Sequence, residues 1–252
     1  MGFLLRATFA RIRPIGRLTI ASLTLLVGCS RGDLALLQGI PPSPPATARI
    51  APSVKEISDQ SLGQPIPLKE TLVLPGERVG PVTRDTSRKD LVKMFGATRL
   101  RDRTVSDPEG IDTLPATLVD LGPKQSLTIV WQDIAQTKPA YIRDLGVDWQ
   151  TPEGSGMGTS FADLRKQLGK FQLYGLAWDY GGTILLQGTE LSRYEGKLIL
   201  QVKAAPQAAK KFPKDYQAVV GDRRFSSSNS HWQRLGLRVG VMTVVLNEVK
   251  GK

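Results

Sequence analysis

The sequence predicts an α+β domain in which a unit of one short helix and an antiparallel sheet is duplicated. Two observations predict this fold. An eleven-residue motif occurs twice, and short apolar segments alternate with turn residues from about residue 70 onward. Many short strands combined with few helices are typical of an α+β domain. A proline-rich segment precedes the domain and predicts a disordered tether.

The repeated motif occupies residues 86–96 and, 73 positions later, residues 159–169. Six of the eleven positions are identical in the two copies. Each copy predicts one helix that begins at a serine N-cap, has an aspartate at the capping-box position and ends at a left-handed glycine. These residues are Ser87, Asp90 and Gly96 in the first copy and Ser160, Asp163 and Gly169 in the second.

Each predicted helix has two apolar side chains four residues apart, Leu91 with Phe95 and Leu164 with Leu168. Residues at this spacing lie on one face of a helix, so each helix is expected to pack through one side. Two unrelated helices with the same capping chemistry are the alternative to a true duplication. In both cases we interpret the motif residues as structural.

Strands are predicted where apolar residues alternate between turns. Leu127, Ile129 and Trp131, for example, share one face of a strand because side chains alternate with a period of two. The predicted strands are residues 78–83, 100–105, 116–121, 125–131, 140–146, 171–178, 183–187, 197–203 and 237–246. The predicted domain is 70–252, with repeat 1 at about 78–146, repeat 2 at about 154–203 and a C-terminal strand region at 204–252.

Residues 1–28 have the pattern of an export signal. Four arginines and no acidic residue precede an uncharged apolar run of eleven residues at 18–28. At about 1.5 Å per residue this run is too short for the ~30 Å hydrocarbon core of a bilayer. A basic flank followed by a short apolar segment predicts a signal peptide.

The end of that run, Leu26-Val27-Gly28-Cys29, resembles the bacterial lipobox. The resemblance implies cleavage before Cys29 and acylation of Cys29, which is the sole cysteine of the chain. Ser30 in place of an aspartate implies an outer-membrane lipoprotein that faces the periplasm, if the host is Gram-negative. An ordinary cleaved signal or a weak anchor helix, with Cys29 unmodified, is the alternative.

The linker at 29–69 is expected to hold the domain at a distance from the membrane. Five prolines fall within twelve of its residues, at positions 41, 42, 44, 45 and 52. Proline fixes φ and removes a backbone donor, so this segment favours an extended or disordered chain. A short helix over residues 54–62 is the alternative for part of it.

Composition excludes several classes of protein. The 252 residues include one cysteine and one histidine, which excludes a disulfide framework, a multi-cysteine metal site and a histidine-rich metal centre. We therefore predict no metal and no cofactor. The net charge is +11, and it falls to +7 when the four arginines of the signal peptide are removed. Nucleic acid is not an expected partner of a protein outside the cytoplasm, whereas anionic envelope surfaces are.

The sequence contains few candidate catalytic residues. His231 follows a serine-rich stretch, but a hydrolase would need a serine, this histidine and an acid brought together, and no Gly-x-Ser-x-Gly elbow is present. Ser226 or Asn229 is instead expected to cap a short helix. The glycine-rich residues 154–158 are interpreted as the turn into the second helix. No catalytic residue is predicted.

The candidate binding residues are Tyr174, Trp178, Asp179 and Tyr180, which lie beside a Gly-Gly turn. On a continuous strand Tyr174, Leu176, Trp178 and Tyr180 would share one face. Aromatic side chains at a strand end are typical of binding sites, where they bury a large area at a small entropic cost. Packing in the core of a central hairpin, with Asp179 shaping the turn, is the alternative.

A basic stretch follows, from Lys203 to Arg224. It is interpreted as a solvated loop, because runs of surface charge usually are solvated. Contact with an anionic lipid or glycan is the alternative.

The motif Gly158-Thr159 through Gly169 is similar to the helix of small-protein-A/OmlA-type envelope lipoproteins and to the tandem repeats of β-lactamase-inhibitory protein. The likeness covers about two dozen residues, and residues 85–96 lack the leading glycine. Members of those families have no catalytic residues and bind proteins through sheet or loop surfaces. The resemblance therefore implies a binding protein.

We expect a lipid-anchored envelope protein with a non-catalytic binding or scaffold role in the periplasm. Its partners would be the membrane, through the anchor, and an envelope protein or a cell-wall polymer. An inhibitor of a periplasmic or secreted enzyme is the first alternative, and a hydrolase that acts on the cell wall is the second.

Overall fold

The structure is a computed structural model that describes residues 70–106 and 113–247. The predicted signal peptide, Cys29 and the linker at 29–69 lie outside these residues. No helix within the described ranges is long and apolar enough to cross a membrane. The elements, in chain order, are β1 Val73–Leu74, β2 Arg78–Val79, β3 Val82–Thr83, α1 Arg88–Phe95, β4 Leu100–Ser106, β5 Thr113–Val119, β6 Leu127–Trp131, β7 Pro139–Arg143, α2 Phe161–Leu168, β8 Gln172–Tyr174, β9 Ile184–Leu185, β10 Leu198–Lys203, α3 Ala208–Lys211, α4 Pro213–Ala218, β11 Arg224–Ser226 and β12 Arg238–Val245.

Both copies of the motif form the predicted capped helix. The Ser87 hydroxyl accepts from the Asp90 N–H at 3.3 Å, and the Ser87 N–H donates to the Asp90 carboxylate at 3.1 Å, which completes a capping box. In α2 the Ser160 hydroxyl accepts from the Asp163 N–H at 3.1 Å, but the reciprocal backbone bond is not formed. In both copies the serine hydroxyl also donates to the aspartate carboxylate at 2.6 Å, so the second cap lacks only the backbone bond of the first.

The turn before each helix is also the same in the two copies. The Thr86 hydroxyl accepts from the Thr83 N–H at 2.9 Å, and the Thr159 hydroxyl accepts from the Gly156 N–H at 3.0 Å. These two pairs are related by the same offset of 73 residues as the sequence motif. The equivalence thus extends beyond the residues that a helix cap alone would require.

The glycine after each helix has the positive φ that the sequence predicts, but its ψ differs from a left-handed helical value. Gly96 has φ +82° and ψ 145°, and Gly169 has φ +75° and ψ −142°. These combinations of φ and ψ are accessible almost solely to glycine. They turn the chain into an extended path, which leads it from each helix towards the following strand.

The described strands form three antiparallel sheets, of which one contains β1, β2 and β3 in that order. The main sheet has the order β10-β12-β7-β6-β5-β4, and β8 pairs with both β9 and β11. An isolated bridge between Thr183 and Gln201 links the β9 side to β10. The first repeat is α1 followed by β4–β7, and the second repeat is α2 followed by β8, β9, β10 and β12. The two repeats meet where β7 pairs with β12, with Ile142 opposite Val244.

The fourth strand of the second repeat comes from β12, inside the region 204–252 that the sequence analysis set apart. Between β10 and β12 the second repeat contains an insertion, residues 204–237, that holds α3, α4 and β11. The order of capped helix and four strands is otherwise common to both repeats. The fold is α+β, as predicted.

The main core lies where the two helices cover one face of the sheets. Leu91 of α1 and Leu164 of α2 are fully buried at equivalent places, as the spacing of apolar residues predicts. Leu127, Ile129 and Trp131 of β6 belong to the same cluster, which confirms their shared face. The opposite face of the sheet carries a smaller cluster that consists of Ala116, Val130, Ala140 and Tyr141.

Two predicted strands are wrong in extent. Residues 78–83 form a hairpin of β2 and β3, because Gly80, with φ +53°, turns the chain between them. The predicted strand at 171–178 ends at Tyr174, because the next residues leave the sheet. The remaining predicted strands overlap strands of the structure, with ends that differ by a few residues.

Candidate binding surface

The candidate aromatic residues lie on the loop between β8 and β9, residues 175–183, which we call the Trp178 loop. Trp178 is 57% exposed and Tyr180 is 70% exposed, whereas Leu176 is buried. The expectation that these side chains share one strand face is wrong, and so is core packing for the two aromatics at the tip. Ala177, with φ +66°, reverses the chain direction just before Trp178.

Backbone hydrogen bonds fix the base of the loop. The Leu176 N–H donates to the Val219 carbonyl at 2.8 Å, and the Gly221 N–H donates to the Leu176 carbonyl at 3.1 Å. The Gly175 N–H donates to the Arg223 carbonyl at 2.9 Å. All of these partners belong to the insertion, so the added segment of the second repeat holds the loop in place.

Gly182 closes the other side of the loop at a position where no side chain fits. A Cβ on Gly182 would lie 2.1 Å from the Val202 carbonyl oxygen of β10, and its φ is +79°. The Val202 N–H donates to the Gly182 carbonyl at 2.9 Å. The aromatic tip is therefore carried on a backbone that is bonded to the insertion on one side and to β10 on the other, which limits the entropy lost when the tip binds a partner.

Asp179 does not shape the turn through its side chain. The turn is closed by backbone bonds, from the Gly181 N–H to the Trp178 carbonyl at 2.7 Å and from the Thr183 N–H to the Tyr180 carbonyl at 3.0 Å. Within the described residues the Asp179 carboxylate has no hydrogen bond or ion pair, and the residue is exposed. The tip thus presents two aromatic rings with an available carboxylate between them.

Tyr174 lies at the base of the loop, half-buried at the end of β8. The Arg224 guanidinium stands over its ring at 5.7 Å from the centroid. On the other side of the base, the Lys203 ammonium donates to the Gly181 carbonyl at 3.4 Å. The structure therefore places three of the four predicted residues together at the tip and the fourth at the base, with a cation on each side.

The basic stretch is not the loop that the sequence predicts. It contains α3 and α4, and its cations are exposed from the end of β10 to the start of β11. Proline at the start of α4, Pro213, suits the first position of a helix, where no backbone N–H is needed. The cations of the stretch are Lys203, Lys210, Lys211, Lys214, Arg223 and Arg224.

Charge pairing differs strongly between the two repeats. In residues 70–153, seven of the 11 lysines and arginines form ion pairs with carboxylates. In residues 154–247, three of 13 do so. None of the six cations of the basic stretch has a carboxylate partner among the described residues. Positive charge without a partner therefore collects around the Trp178 loop and its insertion.

His231 has a carboxylate partner that the sequence analysis did not find. Its Nδ1 lies 2.8 Å from Asp215 Oδ1, and Arg234 contacts the other carboxylate oxygen at 3.3 Å. Asn229 caps the following short turn through the His231 N–H at 3.0 Å, which confirms one of the two predicted caps. Among the described residues no serine hydroxyl is bonded to His231, so the histidine and the acid lack a nucleophile. Nor do three or more His, Cys, Asp or Glu side chains gather there as a metal site.

A cleft of about 340 Å³ lies beside α2. The rings of Phe161 and Trp232, 6.0 Å apart, form part of its wall, and Arg165 and Arg238 also line it. Arg238 is engaged, because it donates to the Gly158 carbonyl at 3.0 Å. Sequence patterns could not group these residues, since they come from segments about 70 positions apart.

Comparisons with known proteins identify no family. No protein-family model matches the chain, and no curated protein does. One solved structure that is similar in outline is the uncharacterized protein yfeY from Escherichia coli, with 16% sequence identity and a TM-score of 0.38. The likeness covers 68% of this chain and 97% of that one.

Proposed function

We propose that this chain is a lipid-anchored cell-envelope protein with a non-catalytic binding or scaffold role, held on the periplasmic side of the outer membrane. The observation that carries the binding role is the exposure of Trp178 and Tyr180, at 57% and 70%, on a loop whose base is bonded to the sheet and the insertion. The partner is an envelope protein or a cell-wall polymer.

Exposure of these two side chains supports binding because large aromatics at a rigid loop tip have few structural reasons to face solvent. They contribute little to the stability of the fold, whereas aromatic anchors contribute much of the free energy at many interfaces. The other three tryptophans, Trp131, Trp149 and Trp232, are buried and each donates its indole N–H to an acceptor in the fold. Trp178 differs from them in both respects.

The anchor part of the proposal rests on the sequence. A basic flank, a short apolar run and the lipobox-like Leu26-Val27-Gly28-Cys29 support acylation of Cys29. Two or three acyl chains hold a protein at a bilayer stably, whereas one does so marginally. The proline-rich linker would then set the distance between the membrane and the Trp178 loop.

The anchor is tested by metabolic labelling with radioactive palmitate. The wild-type chain should be labelled and fractionate with membranes, and Cys29→Ser should lose the label and leave the membrane. If the wild-type chain takes up no label, the anchor part of the proposal is wrong.

The binding role is tested by site-specific photocrosslinking in living cells. A photoreactive amino acid at position 178 should give discrete envelope adducts, and the same group at position 134 should give none. Ile134 is a matched control, because it is 90% exposed and apolar but lies in the first repeat. Equal adducts from both positions, or none from 178, would contradict a binding role for the Trp178 loop.

A further inference from the structure

We propose that the partner of the Trp178 loop is an anionic polysaccharide, which stacks its sugar rings on the two aromatics and pairs its acidic groups with the surrounding cations. This inference rests on the binding role proposed above and gives that role a partner chemistry. It does not depend on the lipid anchor.

The tip of the loop has the groups that a sugar needs. Trp178 and Tyr180 are exposed aromatic side chains, and the apolar C–H face of a pyranose can stack on such rings. Asp179 stands between them with a carboxylate that has no partner among the described residues. A carboxylate accepts hydrogen bonds only, so it suits the hydroxyl groups that line the edge of a sugar ring.

The cations at the base of the loop select for negative charge. Lys203 lies against the Gly181 carbonyl at 3.4 Å, and Arg224 lies over the Tyr174 ring at 5.7 Å. Neither forms an ion pair within the described part of the chain. Unpaired cations beside a binding surface attract an anionic partner and give its binding a dependence on salt.

The charge of the whole region has the same sign. Residues 154–252 contain 15 Lys+Arg and seven Asp+Glu, a net charge of +8, whereas residues 70–153 contain 11 and 13, a net charge of −2. A partner with negative charge is therefore attracted to the second repeat and not to the first. The aromatic tip lies on the repeat that carries the positive charge.

The arrangement favours a chain-like partner over a flat anionic bilayer. A bilayer that meets the tip first would meet Asp179 there, and the negative surface repels this carboxylate. Lys203 contacts the Gly181 carbonyl and Arg224 contacts the Tyr174 ring, so the cations lie on both flanks of the loop, where a flexible polymer can reach them together with the tip. The mixed chemistry of the surface, with rings, an acceptor and cations, thus matches a polymer of acidic sugars.

Trp178 supplies its own reporter for this test. Trp131, Trp149 and Trp232 are 0%, 0% and 2% exposed, so aqueous acrylamide should quench mainly Trp178. The full mature chain in neutral detergent is titrated with three probes: oligoalginate, which has sugar rings and charge; chitotetraose, which has rings without charge; and polyglutamate, which has charge without rings. Protection of Trp178 from acrylamide measures binding.

Oligoalginate should protect Trp178 and should bind on the order of tenfold more tightly than either of the other probes, since it alone can use both sets of contacts. Its affinity should fall as salt is raised. Because Trp178→Ala removes the reporter, the variants are compared by calorimetry. Trp178→Ala should lower the affinity for oligoalginate about tenfold and leave the affinity for polyglutamate unchanged, since only the sugar stacks on the indole ring.

The double variant Lys203→Gln/Arg224→Gln should lower the affinity for both charged probes, oligoalginate and polyglutamate, by at least about fivefold at low salt. Ile134→Ala and Lys89→Gln are the matched controls, an exposed apolar residue and an unpaired exposed cation of the first repeat, and should change neither affinity. Near-ultraviolet circular dichroism verifies that each variant is folded.

Three results would overturn the inference. Oligoalginate affinity that is unchanged in Trp178→Ala would show that the loop is not the site. Equal affinity for oligoalginate and polyglutamate would show that sugar rings are not recognised. In vesicles with brominated lipids, quenching of Trp178 in anionic but not in neutral vesicles would assign the surface to the bilayer. If photocrosslinking at 178 succeeds while oligoalginate fails, the binding role stands and only the partner chemistry is wrong.

Discussion

The two repeats share a scaffold and differ in what has been added to it. Each consists of a capped helix with a buried leucine at the same place, followed by four antiparallel strands. The first repeat has near-balanced charge with most cations paired. The second contains the insertion at 204–237, the Trp178 loop and most of the unpaired cations.

The comparison of the two repeats indicates which features serve the stability of the fold and which are candidates for a binding function. Features present in both repeats, such as the serine caps and the buried helix faces, are explained by stability alone. Features confined to the second repeat have no structural equivalent in the described part of the first. The additions also contact each other, since the insertion holds the base of the Trp178 loop. The proposed site therefore lies where the symmetry of the repeats is broken.

The largest test of the shared scaffold is truncation of its equivalent core leucines. Leu91→Ala and Leu164→Ala should each lower the free energy of unfolding by about 2–5 kcal/mol, because each leaves a cavity at a fully buried site. Urea denaturation measures both values. Val92→Ala is the control, because the Val92 side chain of α1 is 39% exposed. It should lower the free energy of unfolding by less than about 1 kcal/mol. A large loss at one leucine and none at the other would show that the two sites are not equivalent.

A smaller effect should distinguish the two helix caps. Ser87→Ala should lower the free energy of unfolding by about 1–2 kcal/mol and Ser160→Ala by about 0.5–1 kcal/mol. The alanine removes the same two hydroxyl bonds in each helix, but in α1 it also disturbs the backbone bond from Ser87 to Asp90. Chemical denaturation of both variants measures the difference. Ser87→Asn and Ser160→Asn retain a capping oxygen and should stay close to wild type. An equal or larger loss at Ser160 would contradict the ranking.

The smallest expected effect is in the acid titration of the two cap aspartates. Hydrogen bonds from the Ser87 side chain and backbone, followed by Lys93, lower the pKa of Asp90 to about 2. The Ser160 side chain, followed by Lys166, lowers the pKa of Asp163 as well, without a backbone bond. Carbon-detected NMR titration should therefore show Asp90 protonating at the lower pH.

The sign of the stability change follows from these shifts. A carboxylate whose pKa is lowered on folding stabilises the fold above its unfolded pKa of about 4, and this contribution disappears as the pH falls through the folded pKa, about 2 for Asp90. Asp90→Asn should thus lose less stability than wild type between pH 4 and 2. If Asp90 protonates at a higher pH than Asp163, the comparison of the caps is wrong.

Local chemistry explains what the sequence could predict. The caps at Ser87 and Ser160, the buried helix faces and the shared face of Leu127, Ile129 and Trp131 all depend on residues within one or two turns of each other. Such patterns can be recognised in the sequence because the spacing of the residues determines which of them share a face or a cap. The α+β class follows from counting these local elements.

Geometry that depends on distant contacts or on unusual backbone angles could not be predicted from the sequence. An alternating pattern is the same for a strand and for a loop, so nothing in it showed that Ala177 would adopt a positive φ and carry Trp178 into solvent. The pairing of Asp215 with His231 spans 16 residues, and that of β7 with β12 spans about 100. The Trp178 loop likewise depends on distant backbone bonds, since Leu176 bonds to Val219 and Gly182 to Val202.

The position of β12 has a consequence for how the chain reaches its folded state. This strand lies inside the main sheet, between the edge strand β10 and β7, yet it is the last strand along the described chain. The sheet cannot close until residues near 240 are available, and contacts that span so many residues form slowly. For the exported protein that we propose, such a delay would keep the chain extended during export, because the pairing of β7 with β12 needs residues near 240.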